Sequence, residues 1–165
     1  MAKKKGGKTT TRGTERMSPE MVAARRRGFR LQREMFHAYG GCMDGTEVAD
    51  WCGIDQVELA RLVETNQIFW IHHLEHSDMK MYPRWQFEPH QATRPATVLT
   101  GLPEVLAALR ENAEVGPEQT GWSKMGFFLQ ADSLTEGLTP LQALIMGKVA
   151  DAVTAARGLY HHGVR

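Results

Sequence analysis

Histidine and cysteine side chains are the residues of this sequence that most readily suggest chemistry. His72, His73 and His76 cluster in the stretch HHLEH, and Cys42 and Cys52 are the two cysteines. Structural zinc sites usually combine C-x-x-C with H-x₃₋₅-H, and the sequence does not contain that combination. An extended strand would also place His72 and His76 on one face and His73 on the other. We therefore expect a polar hairpin tip here, and no metal site.

Motifs for enzymatic chemistry are missing from the sequence. There is no glycine-rich phosphate-binding loop and no G-x-S-x-G nucleophile elbow. None of the serines lies near a histidine and an acid in a pattern that suggests a catalytic triad. The sequence predicts a protein that is not an enzyme and needs no cofactor.

The charged residues are divided unevenly along the chain. Residues 1–33 contain 11 Lys and Arg against 2 acids, whereas residues 34–165 contain 9 against 17. A basic segment on an acidic body suggests an anionic polymer such as DNA as its partner, and a solvated tail without a partner is the alternative. The basic candidates for DNA binding are Lys3, Lys4, Lys5, Lys8, Arg12, Arg25, Arg26, Arg27 and Arg30.

The composition of the first 41 residues indicates two different segments. Residues 1–17 are rich in Gly, Lys and Thr and nearly free of apolar residues, which predicts a disordered basic arm. Residues 18–41 predict a basic amphipathic helix that Ser18 caps and Pro19 begins. Its apolar side is wide, so we expect a homodimer held partly by Met21, Leu31, Met35 and Phe36.

Residues 42–88 have the pattern of a small winged helix-turn-helix. Thr46 is expected to cap a helix over 47–52, a Gly-Ile turn follows, and Asp55 is expected to cap a second helix from Gln56 to about residue 65. The stretches IFWIHHL and MKMYPRW predict two strands that form the wing. Gln56 and Arg61 are the candidates for reading bases, but the same helix carries two glutamates that would repel phosphates. Either the basic arm supplies most of the DNA affinity, or this unit contacts protein instead.

A linker over 89–99 and a helical domain over 100–165 complete the expected organisation. The stretch LTEGLTPLQALIMG in that domain has explicit helix signals. Thr139 can cap the helix, Pro140 suits its first position, and Gly147 can end it in a left-handed conformation.

This C-terminal segment resembles the toxin-binding domain of Xre/MbcA/ParS-type antitoxins. The shared pattern is a Trp, an aromatic-Leu pair, then L-x-G-x-T-P-L-x-x-L-x-x-G and a terminal helix. It is matched here by Trp122, Phe128, Leu129, Leu134, Gly137, Thr139, Pro140, Leu141, Leu144, Gly147, Val149 and Val153. One departure is that Leu134 and Gly137 stand one residue further apart than in the family.

The resemblance implies an antitoxin of a type II toxin–antitoxin system. Such a protein neutralises a partner toxin, usually a RES-type enzyme that degrades NAD, and represses its own operon by binding DNA. We expect the toxin-facing residues to be Trp122, Phe128, Thr139, Pro140, Leu144, Tyr160, His161 and His162. The alternative is a DNA-binding or protein-adaptor protein without a toxin partner.

Composition and targeting signals give the expected compartment. The basic N-terminus is not followed by an apolar stretch, so it does not resemble a signal peptide, and two cysteines do not make a disulfide framework. We expect a mostly α-helical, cytoplasmic protein that does not associate with a membrane.

Overall fold

A computed structural model describes residues 17–88, 95–113 and 120–159. Candidates Lys3, Lys4, Lys5, Lys8, Arg12, Tyr160, His161 and His162 therefore lie outside the described residues. The expectation of a mostly helical fold is confirmed. Within those ranges there are seven α-helices, α1 Pro19–His37, α2 Gly45–Cys52, α3 Gln56–Glu64, α4 Leu102–Ala113, α5 Gly121–Leu129, α6 Pro140–Ile145 and α7 Val149–Gly158. Three short strands, β1 Cys42–Met43, β2 Ile71–His72 and β3 Lys80–Pro83, accompany them.

Helix α1 begins as predicted and has no buried residue along its length. The Ser18 side chain accepts a hydrogen bond from the Met21 backbone N–H at 3.2 Å, and Pro19 occupies the first turn. Only the end of the helix packs on the body, through the partly buried Met35 and Phe36. These two residues were predicted to hold a homodimer, and in the structure they pack against the first hydrophobic cluster of their own chain.

Helices α2 and α3 form as predicted, with one cap corrected. Asp44, not Thr46, caps α2, since the Asp44 carboxylate accepts from the Thr46 and Glu47 N–H groups and Glu47 accepts in return from the Asp44 N–H. Two N-terminal amides are satisfied in this reciprocal arrangement. Asp55 caps α3 as expected, by accepting from the Glu58 N–H at 2.8 Å.

The two predicted strands pair as an antiparallel hairpin, and a third strand joins them. The strand order is β1-β3-β2, with Met43 opposite Tyr82 and Ile71 opposite Met81. Strand β1 has two residues, too short for its pattern to be visible in the sequence. The protein is therefore mostly helical and has a small three-stranded antiparallel sheet.

The sheet separates two hydrophobic clusters. Consecutive side chains along a strand point to opposite faces, and Met81 accordingly belongs to one cluster and Tyr82 to the other. The first cluster joins Met81 and Trp85 to helices α4 to α7, and the second joins Tyr82 and Phe87 to α2 and α3. The hairpin thus shares its core with the C-terminal helices.

The second half of the expected linker over 89–99 packs on the rest of the chain. The Ala96 N–H donates to the Trp51 carbonyl at 3.2 Å, and the Leu99 N–H donates to the Gln86 carbonyl at 2.7 Å. Ala96 is buried in the second cluster. Residues 95–99 therefore pack on the body because their backbone pairs with the segment that follows the sheet. Residues 89–94 lie outside the described residues.

The signals in LTEGLTPLQALIMG act as predicted. The Thr139 hydroxyl accepts from the Gln142 N–H at 3.1 Å, the Gln142 side chain accepts from the Thr139 N–H, and Pro140 begins α6. Gly147 has a φ of 74°, the left-handed conformation that ends such helices. Helix α7 follows and packs along α4, with Asn112 donating to the carbonyls of Ala156 and Arg157.

Candidate functional site

A groove with a mostly apolar lining lies beside the end of α6. Its volume is about 740 Å³. We call it the Trp85 groove, and its apolar lining consists of Tyr39, Trp85, Phe87, Leu99, Leu144, Ile145 and Val149. Trp85 is buried, and its indole N–H finds no acceptor among the described residues. A ligand with an apolar surface would complement this lining.

Exposed apolar side chains continue the groove outward. Ile145 and Met146 are 59 % and 61 % exposed, although they come directly after the buried residues Ala143 and Leu144 of α6. Tyr39, at the other side of the groove, has a φ of 50°, which is unusual for a bulky residue. Strained backbone and contiguous exposed apolar surface both concentrate at binding sites.

The predicted toxin-facing residues that the structure describes do not form one surface. Phe128 and Pro140 are buried, Phe128 completely, and help to build the core of the chain, whereas the buried Leu144 also lines the Trp85 groove. The Thr139 hydroxyl is occupied as the helix cap. Trp122 is half-buried and lies on a different cavity. The sequence reading missed Met146 and the groove because both depend on packing between distant segments.

The predicted DNA-binding arginines of α1 all lie on the surface. Arg25, Arg26, Arg27 and Arg30 are exposed, and Arg30 approaches Glu34 at 3.8 Å. Val22 and Phe29 line a surface depression along this helix together with Arg25, Arg26 and Arg30. The first three-quarters of α1 thus present a basic and partly apolar surface.

The two predicted base-reading residues of α3 are engaged within the chain. Arg61 binds both carboxylate oxygens of Glu58, at 2.7 and 2.6 Å, and this hydrogen-bonded pair lowers the pKa of Glu58. Gln56 donates to the Gly45 carbonyl at 3.1 Å. Reading bases would require both side chains to leave these partners, so the structure gives no support to α3 as the main contact.

The histidine cluster forms a turn, as the sequence predicted. The Nδ1 atom of His73 accepts from the N–H groups of Glu75 and His76, which ties the hairpin tip together. Among the described residues, no group of three or more His, Cys, Asp or Glu is arranged to hold a metal ion.

Comparisons with protein-family models, with curated proteins and with solved structures find no match to this chain. No helix in the described ranges has both the length and the apolar character that crossing a bilayer requires.

Proposed function

We propose that this protein is an antitoxin. It binds and neutralises a partner toxin of the RES type through the Trp85 groove and the adjoining Ile145 and Met146, and it represses its own operon by binding DNA through α1 and the basic residues before it. The observation that carries the toxin-binding half is the pair of exposed apolar side chains at the end of a rigidly capped helix.

Position and rigidity support a protein partner for this surface. The capping box at the start of α6 and the left-handed Gly147 at its end fix where Ile145 and Met146 stand. Apolar side chains held on a rigid element lose little conformational entropy on binding, which favours a tight interface. The occupant is an apolar segment of the toxin that complements the apolar lining of the groove.

The DNA-binding half rests on charge. The exposed arginines of α1 belong to a segment, residues 1–33, with nine more basic than acidic residues. Contacts from such a segment to phosphates release counterions and give salt-dependent binding with little sequence preference. The engaged state of Gln56 and Arg61 favours this mode over base reading by a winged helix-turn-helix. A homodimer, through Met21 and Leu31 on the exposed part of α1, would double the number of phosphate contacts.

The test of toxin binding is co-expression with a RES-type gene next to the gene for this chain. The double variant Ile145→Asp with Met146→Asp should lose protection of the host, because two charges would enter an apolar interface. Val57→Asp is the matched control, since Val57 is 78 % exposed on α3 and should leave protection intact. Full protection by the double variant, or neighbouring genes without a RES-type sequence, would overturn the proposal.

The test of DNA binding is fluorescence anisotropy on the region upstream of the gene at several salt concentrations. Changing Arg25, Arg26, Arg27 and Arg30 together to Gln should weaken binding and reduce the log–log salt slope by up to about 4, because each phosphate contact contributes about 0.9. Deletion of residues 1–17 should act in the same direction. Arg110→Gln, at an exposed position on α4, is the control. An unchanged slope in the first variant would contradict the assignment.

A further inference from the structure

Glu88 is the only charged residue that lines the Trp85 groove within the described part of the chain. It is partly buried, and the rings of Trp85 and Phe87 line the same groove. The antitoxin proposal uses the apolar lining and leaves this carboxylate without a role. A carboxylate beside an apolar surface suits a partner that carries a cation next to apolar groups.

The backbone holds Glu88 in place beside the groove. The Glu88 N–H donates to the Thr97 carbonyl at 2.7 Å, and the neighbouring Phe87 forms an antiparallel bridge with Val98. Glu88 therefore belongs to a short paired segment and not to a free loop. A group that is already held in position loses less free energy to ordering when a partner binds.

Thr100 orients the carboxylate through one of its two oxygens. The Thr100 hydroxyl donates to Oε1 of Glu88 at 2.6 Å, and the Thr100 N–H donates to the same atom at 3.1 Å. These two hydrogen bonds lower the pKa of Glu88, so the group stays ionised at neutral pH. Both lone pairs of Oε1 are thus engaged, whereas Oε2 accepts no hydrogen bond from the described residues.

No basic side chain of the described residues neutralises Glu88, because the salt bridges there join other pairs. Lys148, directly before α7, is paired with Glu136 at 2.8 Å. The guanidinium carbon of Arg84 lies 4.9 Å from the centroid of the Trp51 ring, and Arg84 does not line the groove. An apolar partner that removed water from the unpaired carboxylate would cost free energy, which a cationic group of that partner offsets.

The extent of the apolar surface indicates a protein segment as the occupant. The volume of the groove, about 740 Å³, lies within the range for small-molecule sites, about 300–1,000 Å³. The exposed Met146 extends the apolar surface past the groove but does not line it, so a small molecule in the groove would leave Met146 uncovered. A polypeptide segment covers the groove and Met146 together.

We propose that the partner segment in the Trp85 groove carries a lysine next to its apolar residues, and that the lysine ammonium binds Oε2 of Glu88. This inference rests on the proposed function and specifies the segment that the groove accepts. Lysine is favoured over arginine because an arginine fork binds a carboxylate through both oxygens, and Thr100 already occupies one of them. An ammonium is a compact point charge that can bind a single oxygen.

Selection of a phage-displayed library of short random peptides on the immobilised full chain tests this. Peptides are kept only if they lose binding to the double variant Ile145→Ser with Met146→Ser, since the basic N-terminal segment attracts acidic peptides elsewhere on the chain. Serine is used because new carboxylates would themselves attract lysine. The retained peptides should be apolar and enriched in lysine over arginine and over acidic residues.

Fluorescence anisotropy of the retained lysine peptides measures the contribution of the carboxylate. Glu88→Gln removes the charge but keeps an oxygen that accepts from Thr100, and it should weaken binding about 3- to 30-fold, between the effects of an exposed and a desolvated ion pair. Replacing the lysine of the peptide with glutamine should weaken binding to the wild type by a similar factor and to Glu88→Gln very little. Glu64→Gln is the matched control, because Glu64 is exposed on α3 and does not line the groove.

Equal affinity of these peptides for the wild type and Glu88→Gln would overturn the inference. Retained peptides without lysine enrichment, or with arginine in its place, would overturn it too, as would the absence of any peptide that depends on Ile145 and Met146. If Glu88→Gln loses its cooperative thermal unfolding, the change from lysine to glutamine in the peptide decides the outcome. Failure of the antitoxin proposal is read separately, from host protection by Ile145→Asp with Met146→Asp in the co-expression test.

Discussion

Replacing Gln86 with leucine should lower the free energy of unfolding by about 2–3 kcal/mol. Gln86 is completely buried. Its Oε1 accepts from the Phe69 N–H at 2.8 Å, and its Nε2 donates to the Phe69 carbonyl at 2.8 Å. The Gln86 side chain thus satisfies both the N–H and the carbonyl of Phe69, a residue that lies outside the strands.

The magnitude follows from what leucine leaves behind. Two buried backbone groups without partners cost about 1–3 kcal/mol each, about 4 kcal/mol together at the middle of that range. Leucine recovers about 1.5 kcal/mol, the lower end of the range for burying an apolar side chain, because the methylene groups of Gln86 are already buried. For a chain of 165 residues, each kcal/mol lowers Tm by about 2–4 °C. We therefore expect Tm to fall by about 4–12 °C.

Urea unfolding followed by circular dichroism measures this change. Gln130→Leu is the matched control, because Gln130 is exposed and surface substitutions usually stay within about 0.5 kcal/mol. Gln86→Glu adds a test of sign: burial raises the pKa of the introduced carboxyl, so the folded state binds a proton more readily and this variant should gain stability as pH falls from 7 to 5. A Gln86→Leu variant as stable as the Gln130→Leu control would refute the reasoning.

Four further outcomes are expected. Gly101→Ala should destabilise by more than Gly147→Ala in urea titrations, because both residues have positive φ but only at Gly101 would a Cβ meet Val149 atoms at 2.6 and 2.8 Å; equal effects would contradict this. Thr139→Ala should cost about 1 kcal/mol by removing the cap of α6, while Thr139→Ser should not. Burial raises the pKa of the Cys42 thiol to about 12, so iodoacetamide at pH 8 should label Cys42 slowly in the folded protein and rapidly in urea. Leu31→Asp should turn the proposed homodimer into a monomer in light scattering, and Val57→Asp is the control. A wild-type chain that is monomeric at tens of micromolar, which corresponds to an association free energy weaker than about −6 kcal/mol, would contradict the homodimer.

The local features of the fold were the predictable ones. Ser18, Asp55 and Thr139 cap their helices where the sequence placed them, because a cap depends on residues within one turn. The predicted cap Thr46 was wrong, because Asp44, two residues earlier, also has a capping side chain and forms the reciprocal hydrogen bonds with Glu47. Strand β1 was missed because a two-residue strand has no period to detect.

The candidate sites were less predictable, for a reason of distance along the chain. Phe128 and Leu144 match the antitoxin pattern, but whether such residues face a partner or the core depends on packing that no local pattern encodes. Arg61 was expected to read bases, but it pairs with Glu58, three residues earlier on α3. Because that i,i+3 spacing is visible in the sequence, the pairing could have been predicted. Trp70 and Trp122 are 52 residues apart, and only the folded chain brings them to one cavity.

The position of the sheet between two hydrophobic clusters has a thermodynamic consequence. Because Met81 and Tyr82 are neighbours in one strand and anchor opposite clusters, we expect the opening of either cluster to disturb the strand that supports the other. The chain should then unfold as one cooperative unit, and a ligand held on one side of the sheet adds its binding free energy to the stability of the other side. A protease that cleaves only the opened chain would then degrade both halves together. A partner bound on either side would slow amide hydrogen exchange on both sides.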